Sequence, residues 1–210
     1  KEIDVLQGKY EAFLKYLQDD KEVDQVQEMV QQYGFHQVLA DKHKSVMVAF
    51  ENCAVENLKF LLNAGCKLPH RFDGENIFTA AHRICSDRDA LENTEQNDEK
   101  PTSVFGNAML SLLFKHGVDP NEPIQDGSIY IPPIHFAAHI GDLDLIRTLI
   151  EAEANVNNVT SDGKNVFHFV NNVEVCKLFV KSGSDLNLSA QGPLLEHQYY
   201  QLVESPLVAA

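Results

Sequence analysis

The fold is decided by Pro132-Pro133-Ile134-His135-Phe136-Ala137-Ala138-His139-Ile140-Gly141-Asp142-Leu143-Asp144-Leu145-Ile146-Arg147-Thr148-Leu149-Ile150, continued by Glu151-Ala152-Glu153-Ala154-Asn155-Val156-Asn157. Prolines open a short segment rich in small residues, and Gly141 breaks it. A second segment follows, with Leu145, Ile146, Leu149 and Ile150 at i, i+1, i+4 and i+5, which is one face of a helix. Ala137 and Ala138 are small enough to let the first helix approach a neighbour closely. The stretch therefore predicts two short antiparallel helices and an extended end. Neither helix can bury its apolar face alone, so such a unit needs neighbours.

The neighbours are in the sequence. Downstream, Asp162-Gly163-Lys164-Asn165-Val166-Phe167-His168 opens a similar unit, Val175-Cys176-Lys177-Leu178-Phe179-Val180 is its second helix, and Ser182-Gly183-Ser184-Asp185-Leu186-Asn187 closes it. Pro132 and Asn165 are 33 residues apart. Upstream, one unit opens at Lys44 and closes at Leu58–Cys66, and another opens at Asp73–His82 and closes at Leu110–Asn121. Gly65, Gly117 and Gly183 stand where each second helix must end in a left-handed residue. The pairs Asp73-Gly74, Asp126-Gly127 and Asp162-Gly163 suit tight turns between units.

These units resemble ankyrin repeats, whose pattern is Thr-Pro-Leu-His-x-Ala-Ala, a Gly, then Leu-Leu-x-x-Gly-Ala-Asp-x-Asn at a period near 33. Pro133, His135, Ala137, Ala138 and Gly141 occupy the matching places. The resemblance covers roughly residues 44–190. It implies an all-α fold, an ankyrin-repeat solenoid of stacked helix-turn-helix units with short tips. The expected units are 44–75, 76–131, 132–164 and 165–190.

Departures from the pattern carry expectations of their own. Glu153 replaces the Gly that ends the third unit's second helix, so either it takes positive φ at a cost or that helix ends differently. The fourth unit is about three residues short between its helices, near Asn171-Asn172-Val173. From Asn76 to Pro132 is 56 residues, well over one period, and the polar stretch 86–103 is read as an inserted exposed loop with mobile or short helical parts. Residues 1–43 do not match the repeat. Helical periodicity at Tyr10–Leu17 and Val23–Val30 predicts an N-terminal helical cap, and 191–210 is read as C-terminal capping helices.

Composition bounds the function. The chain has 210 residues, 17 Lys plus Arg and 31 Asp plus Glu, a net charge of −14, and 44% apolar residues. That is an ordinary globular fraction. The acidic balance argues against nucleic acid or an anionic membrane as main partner, and no apolar run is long enough to span a bilayer. Cys53, Cys66, Cys85 and Cys176 form no CxxC pair and read as buried thiols of a cytoplasmic or other reducing intracellular compartment. The divergent repeats and irregular insertion also resemble ankyrin effectors secreted by intracellular bacteria, which would place the chain in a host cell cytosol.

No catalytic, cofactor or metal site is expected. His135 and His168 take the signature histidine position, where the resemblance implies a ring hydrogen-bonded to backbone. His135 and His139 are four apart, but His135 is committed to the repeat. Cys85 and His82 could be helix neighbours, but no third orienting group is apparent. The tip residues Asn121, Asn157 and Asn187 resemble ankyrin asparagines that undergo hydroxylation, and the preferred reading is that they bond the tip backbone.

The resemblance implies a non-catalytic, monomeric protein-protein interaction module whose partner, another protein, binds a groove of tips and first helices. Carried onto this chain, the protein-binding positions are Phe72, Asp73, Glu75 and Arg83 in the second unit, and Tyr130, Ile131 and His139 around the third. Asp162 and Lys164 follow at the fourth. Phe72, Tyr130 and Ile131 are the expected anchors, since aromatic and large apolar groups dominate interface energy. The alternative is that these repeats are the substrate-targeting arm of a larger effector enzyme with its catalytic part outside this chain.

Overall fold

The structure, a computed structural model, describes residues 2–34, 43–92 and 104–188. Residues 93–103 of the expected insertion and the cap expected at 191–210 lie outside these. The chain forms two compact units, Lys1–Val118 and Asp119–Ala210.

The first unit is built of helical pairs. Helices α1 (Glu2–Tyr16) and α2 (Val23–Tyr33) pack together, as do α3 (Lys44–Glu51) and α4 (Val55–Asn63), and α5 (Ile77–Glu92) and α6 (Val104–Lys115). Helix α4 also meets both α2 and α6, so the second helices of successive pairs form a row. A hairpin of β1 (Arg71–Phe72) and β2 (Glu75–Asn76) precedes α5. Phe13, Leu17, Val26, Ala49, Leu58, Leu61, Ala80, Met109 and Leu113 are buried along this row. Burial of each large apolar side chain contributes about 1.5–3 kcal/mol.

Ala54 offers no side-chain cap to α4. Asp20, from the 3-10 turn Asp20–Glu22, supplies one instead: its Oδ1 accepts the Asn57 amide at 3.0 Å. The Asn57 side chain is fully buried and donates to the carbonyls of Tyr16 (3.1 Å) and Asp19 (3.0 Å). The N-terminal helices are thus fastened to α4 by polar bonds as well as by apolar burial.

The second unit holds the hairpin β3 (Ile124–Asp126) and β4 (Ile129–Ile131), then α7 (Pro133–Ile140), α8 (Leu143–Glu151), a 3-10 turn at Val166–His168, and α9 (Val173–Lys181). Pro133 starts α7, where its missing N–H costs nothing. Asp142 caps α8 by accepting from the amides of Asp144 and Leu145, both at 3.0 Å, and Asn172 caps α9 through the Val175 amide at 2.8 Å. Ile134, Ala137, Leu145, Ile146, Leu149, Val175 and Phe179 are buried.

Four second helices end alike. The carbonyls of Leu61, Leu113, Leu149 and Phe179 accept from the amides of Cys66, Val118, Ala154 and Ser184 at 2.9–3.1 Å. The residues at these turns with positive φ are Gly65, Gly117, Glu153 and Gly183. Glu153 therefore takes the strained course, with φ of 66°. All four acceptor residues have zero exposure.

Three expectations are corrected. Residues 86–92 are not loop: α5 continues through them to Glu92, because Arg88, Ala90, Leu91 and Glu92 are good helix formers. The fourth unit's first helix is only the 3-10 turn at Val166–His168, since the missing residues remove most of a helical turn. The tip turn expected at Asp126-Gly127 sits one residue on, at Gly127-Ser128, with Asp126 paired to Ile129 in the ladder. Among the described residues no helix is long and apolar enough to cross a membrane.

Candidate functional site

The candidate residues gather on the tips, considered unit by unit. In the first unit, Asp73 (φ 48°) and Gly74 (φ 83°) turn the β1–β2 hairpin. Asp73 is exposed at its apex. Glu75 lies on β2 and accepts from Arg83 of α5 at 3.1 Å, an ion pair with both side chains about half exposed. Arg71 closes the turn by donating to the Gly74 carbonyl at 3.0 Å. Asp73, Glu75 and Arg83 therefore belong to one polar surface, with Glu75 and Arg83 already paired to each other.

Phe72 departs from the expectation of an exposed anchor. It is 3% exposed, and its ring lies 5.1 Å from that of Phe50. On a two-residue strand one side chain faces outward and the next inward. Arg71 takes the outward place and Phe72 the core, so Phe72 holds the hairpin down and is not presented to a partner.

In the second unit, Tyr130 on β4 is 52% exposed, a high value for a large aromatic residue. Successive side chains of a strand alternate in direction, and Tyr130 takes the outward place between Ile129 and Ile131. Its amide donates to Ser161 Oγ at 2.9 Å, and its carbonyl accepts from the Ser161 amide at 3.0 Å. This pair of bonds ties the third tip to the fourth. Ile131, beside Tyr130, pairs with Ile124 and is half-buried, so it offers a partial apolar surface.

Asp162 and Lys164 flank Gly163 on the adjoining tip. Lys164 Nζ lies 2.9 Å from Asp162 Oδ2, and the Thr160 hydroxyl donates to Asp162 Oδ1. Partial burial pushes the Asp162 carboxyl up. The bonds from Thr160 and Lys164 outweigh this and hold it below the usual aspartate range. Thr160 itself is buried and receives the Lys164 amide at 3.0 Å, so it fixes the turn that presents both charges. His139, on α7, is exposed, and its carbonyl accepts from Asn171 at 3.0 Å.

Tyr130, Asp162 and Lys164 are thus brought onto neighbouring tips, while His139 stands apart on the first helix. Thr160 and Asn57 went unmarked by the sequence reading. Asn57 carried a signal: it sits beside Leu58 on the face that Leu58 and Leu61 bury, where an apolar residue is the norm.

The two signature histidines behave differently. His168 Nδ1 lies 2.8 Å from Asn165 Oδ1. His135, fully buried, completes no hydrogen bond of ordinary geometry at either ring nitrogen, although the Lys164 backbone approaches it. His168 is served by the Asn165 side chain, whereas the matching residue before His135 is Pro132, which has no side-chain acceptor, so only backbone is left to face that ring. Burial lowers the His135 pKa to about 4, so the ring is neutral at pH 7.

Two of the three tip asparagines, Asn121 and Asn157, bond backbone through their side chains. Asn121 Oδ1 accepts from the Asn155 amide at 2.8 Å, and Asn157 Oδ1 accepts from the Asp185 amide at 2.8 Å. Among the described residues no three His, Cys, Asp or Glu side chains converge as a metal site would require.

Comparison with known proteins places these features. A sequence profile for ankyrin repeats in many copies matches residues 107–150 and 134–180. A protein of Acanthamoeba polyphaga mimivirus named as an ankyrin repeat protein is 31% identical over 143 residues, which is 66% of this chain and 41% of that protein. Alpha-latrocrustotoxin-Lt1a of Latrodectus tredecimguttatus is 28% identical over 100 residues, 45% of this chain and 7% of the toxin. The chain thus spans less than half the length of either relative.

Proposed function

Since this chain belongs to the ankyrin-repeat family, whose members are generally non-catalytic protein-protein interaction modules, we propose that it binds a partner protein through its tips and first helices. Tyr130 anchors the contact, with Ile131 as its apolar margin. Asp162 and Lys164 supply paired charges beside it, and Asp73, Glu75 and Arg83 form a second polar patch on the first unit. Residues 44–190 carry the binding repeats, and the helices of 1–43 keep the first of them from water.

The observation that carries this reading is Tyr130. A tyrosine 52% exposed on a hairpin fastened through its main chain is a preformed anchor. It loses little freedom on binding, because the backbone beneath it is already fixed. Aromatic residues in such settings dominate interface energy.

The test is parallel affinity capture from lysate on wild type, Tyr130→Ala and Arg83→Glu, each first shown to be folded by circular dichroism. A protein retained by wild type and lost from Tyr130→Ala supports the reading. Retention unchanged in both variants overturns it.

A further inference from the structure

We propose that Cys53 and Cys85 form a dithiol–disulfide pair, a covalent link that the first unit makes under oxidising conditions. Both sulfurs are buried, at 1% and 0% exposure, and they stand 2.7 Å apart. That is inside the contact distance of two non-bonded sulfur atoms. The residues are 32 apart, one repeat period, so equivalent places in successive repeats bring the two thiols together. No disulfide joins them in the structure.

The backbone adds a second observation. Cys53 has φ of 52° in the turn between α3 and α4. Non-glycine residues enter that region at a cost, and glycine or asparagine is the usual occupant. A cysteine there, its sulfur on the sulfur of Cys85 in α5, uses a position that a structural turn alone would give to glycine. Cys66 and Cys176, by contrast, are half-buried and sit in ordinary helix-end or helix positions.

The chemistry is thiol–disulfide exchange with oxidised glutathione. One protein thiolate attacks a glutathione sulfur, the glutathione S–S bond breaks, and one glutathione thiolate leaves. The second protein thiolate then attacks the protein sulfur of the mixed disulfide and releases the other glutathione. Two protein thiols lose two protons and two electrons, and one glutathione disulfide becomes two glutathione thiols. Burial slows the first attack in the folded chain, so the exchange proceeds through local opening or during folding. The product closes a loop containing the β1–β2 hairpin and pins the α3–α4 turn to α5.

The test is to unfold the full chain and refold it in glutathione buffers of graded ratio. Each sample is quenched with an alkylating agent in denaturant, digested and mapped by mass spectrometry. A peptide joining Cys53 to Cys85 is expected to accumulate as the buffer becomes oxidising. The unfolding constant of the oxidised protein is expected to fall on the order of a hundredfold and to return on reduction. The Cys66→Ser/Cys176→Ser double variant keeps the link, which holds the test open even if substitution at Cys53 or Cys85 prevents folding. Full alkylation of Cys53 and Cys85 at the most oxidising ratio, or a dominant bridge to Cys66 or Cys176, overturns the proposal.

Discussion

The carbonyl of Leu149 accepts a hydrogen bond from the amide of Ala154 at 2.9 Å, and the residue between them that makes this bond possible is Glu153 at φ of 66°. The equivalent turns at Gly65, Gly117 and Gly183 make the same bond without a side chain to strain them. Glu153→Gly is therefore expected to stabilise the protein by about 1 kcal/mol, the left-handed penalty less the added freedom of glycine when unfolded. Urea unfolding measures it, and a lower midpoint for the variant would show that the Glu153 side chain repays its backbone strain.

His135 sets a dependence on acid. The unfolded chain protonates this ring at its ordinary value of 6.5, the folded chain only at about 4. Between these values the unfolded state holds more protons, so stability falls as pH is lowered through the window and is unaffected above it. The full loss is of order 3 kcal/mol. In urea unfolding from pH 7 down to pH 4, the stability of wild type relative to His135→Leu should fall steadily as the pH falls, whichever of the two is the more stable at pH 7. Parallel curves would show that another group carries the acid sensitivity.

Asn57 fastens the N-terminal helices to the first repeat. Asn57→Ala removes the donors to the Tyr16 and Asp19 carbonyls and is expected to cost about 2–4 kcal/mol. Hydrogen exchange should then quicken in α1 and α2 more than in α6. Equal acceleration throughout the first unit would mean that these helices do not come loose by themselves.

Tyr130 separates binding from folding. Its main chain makes the bonds to Ser161, so Tyr130→Ala should change stability by no more than about 0.5 kcal/mol while abolishing partner capture. Ser161→Ala removes the acceptor of the Tyr130 amide and should cost about 1 kcal/mol. Thermal unfolding of the two variants side by side checks the order of these effects, and the reverse order would place the ring in the fold.

The repeat was legible where its residues are chemically constrained. Pro133, Ala137, Ala138 and Gly141 each answer a steric demand, so their spacing declared the third unit, and the glycines marked the helix ends. The fourth unit's shortage was legible in its length, but its result, a 3-10 turn in place of the first helix, was not. Polarity misled at 86–92, where a hydrophilic run read as loop with short helical parts continues α5, because strong helix formers such as Arg and Glu are also polar. Burial at Phe72 was hidden because a two-residue strand has no alternation to read. The difference between the two signature histidines was implicit in the residue three places before each, Asn165 with a side-chain acceptor and Pro132 without one. The approach of Cys53 to Cys85 was latent in their separation of one period.

The Tyr130–Ser161 connection has an evolutionary corollary. The bonds that tie this hairpin to the next tip run through the main chain of Tyr130, so they do not depend on which side chain stands there, proline excepted. Under the proposed binding role, such a position would let a lineage exchange one target for another in single steps, without passing through an unfolded ancestor.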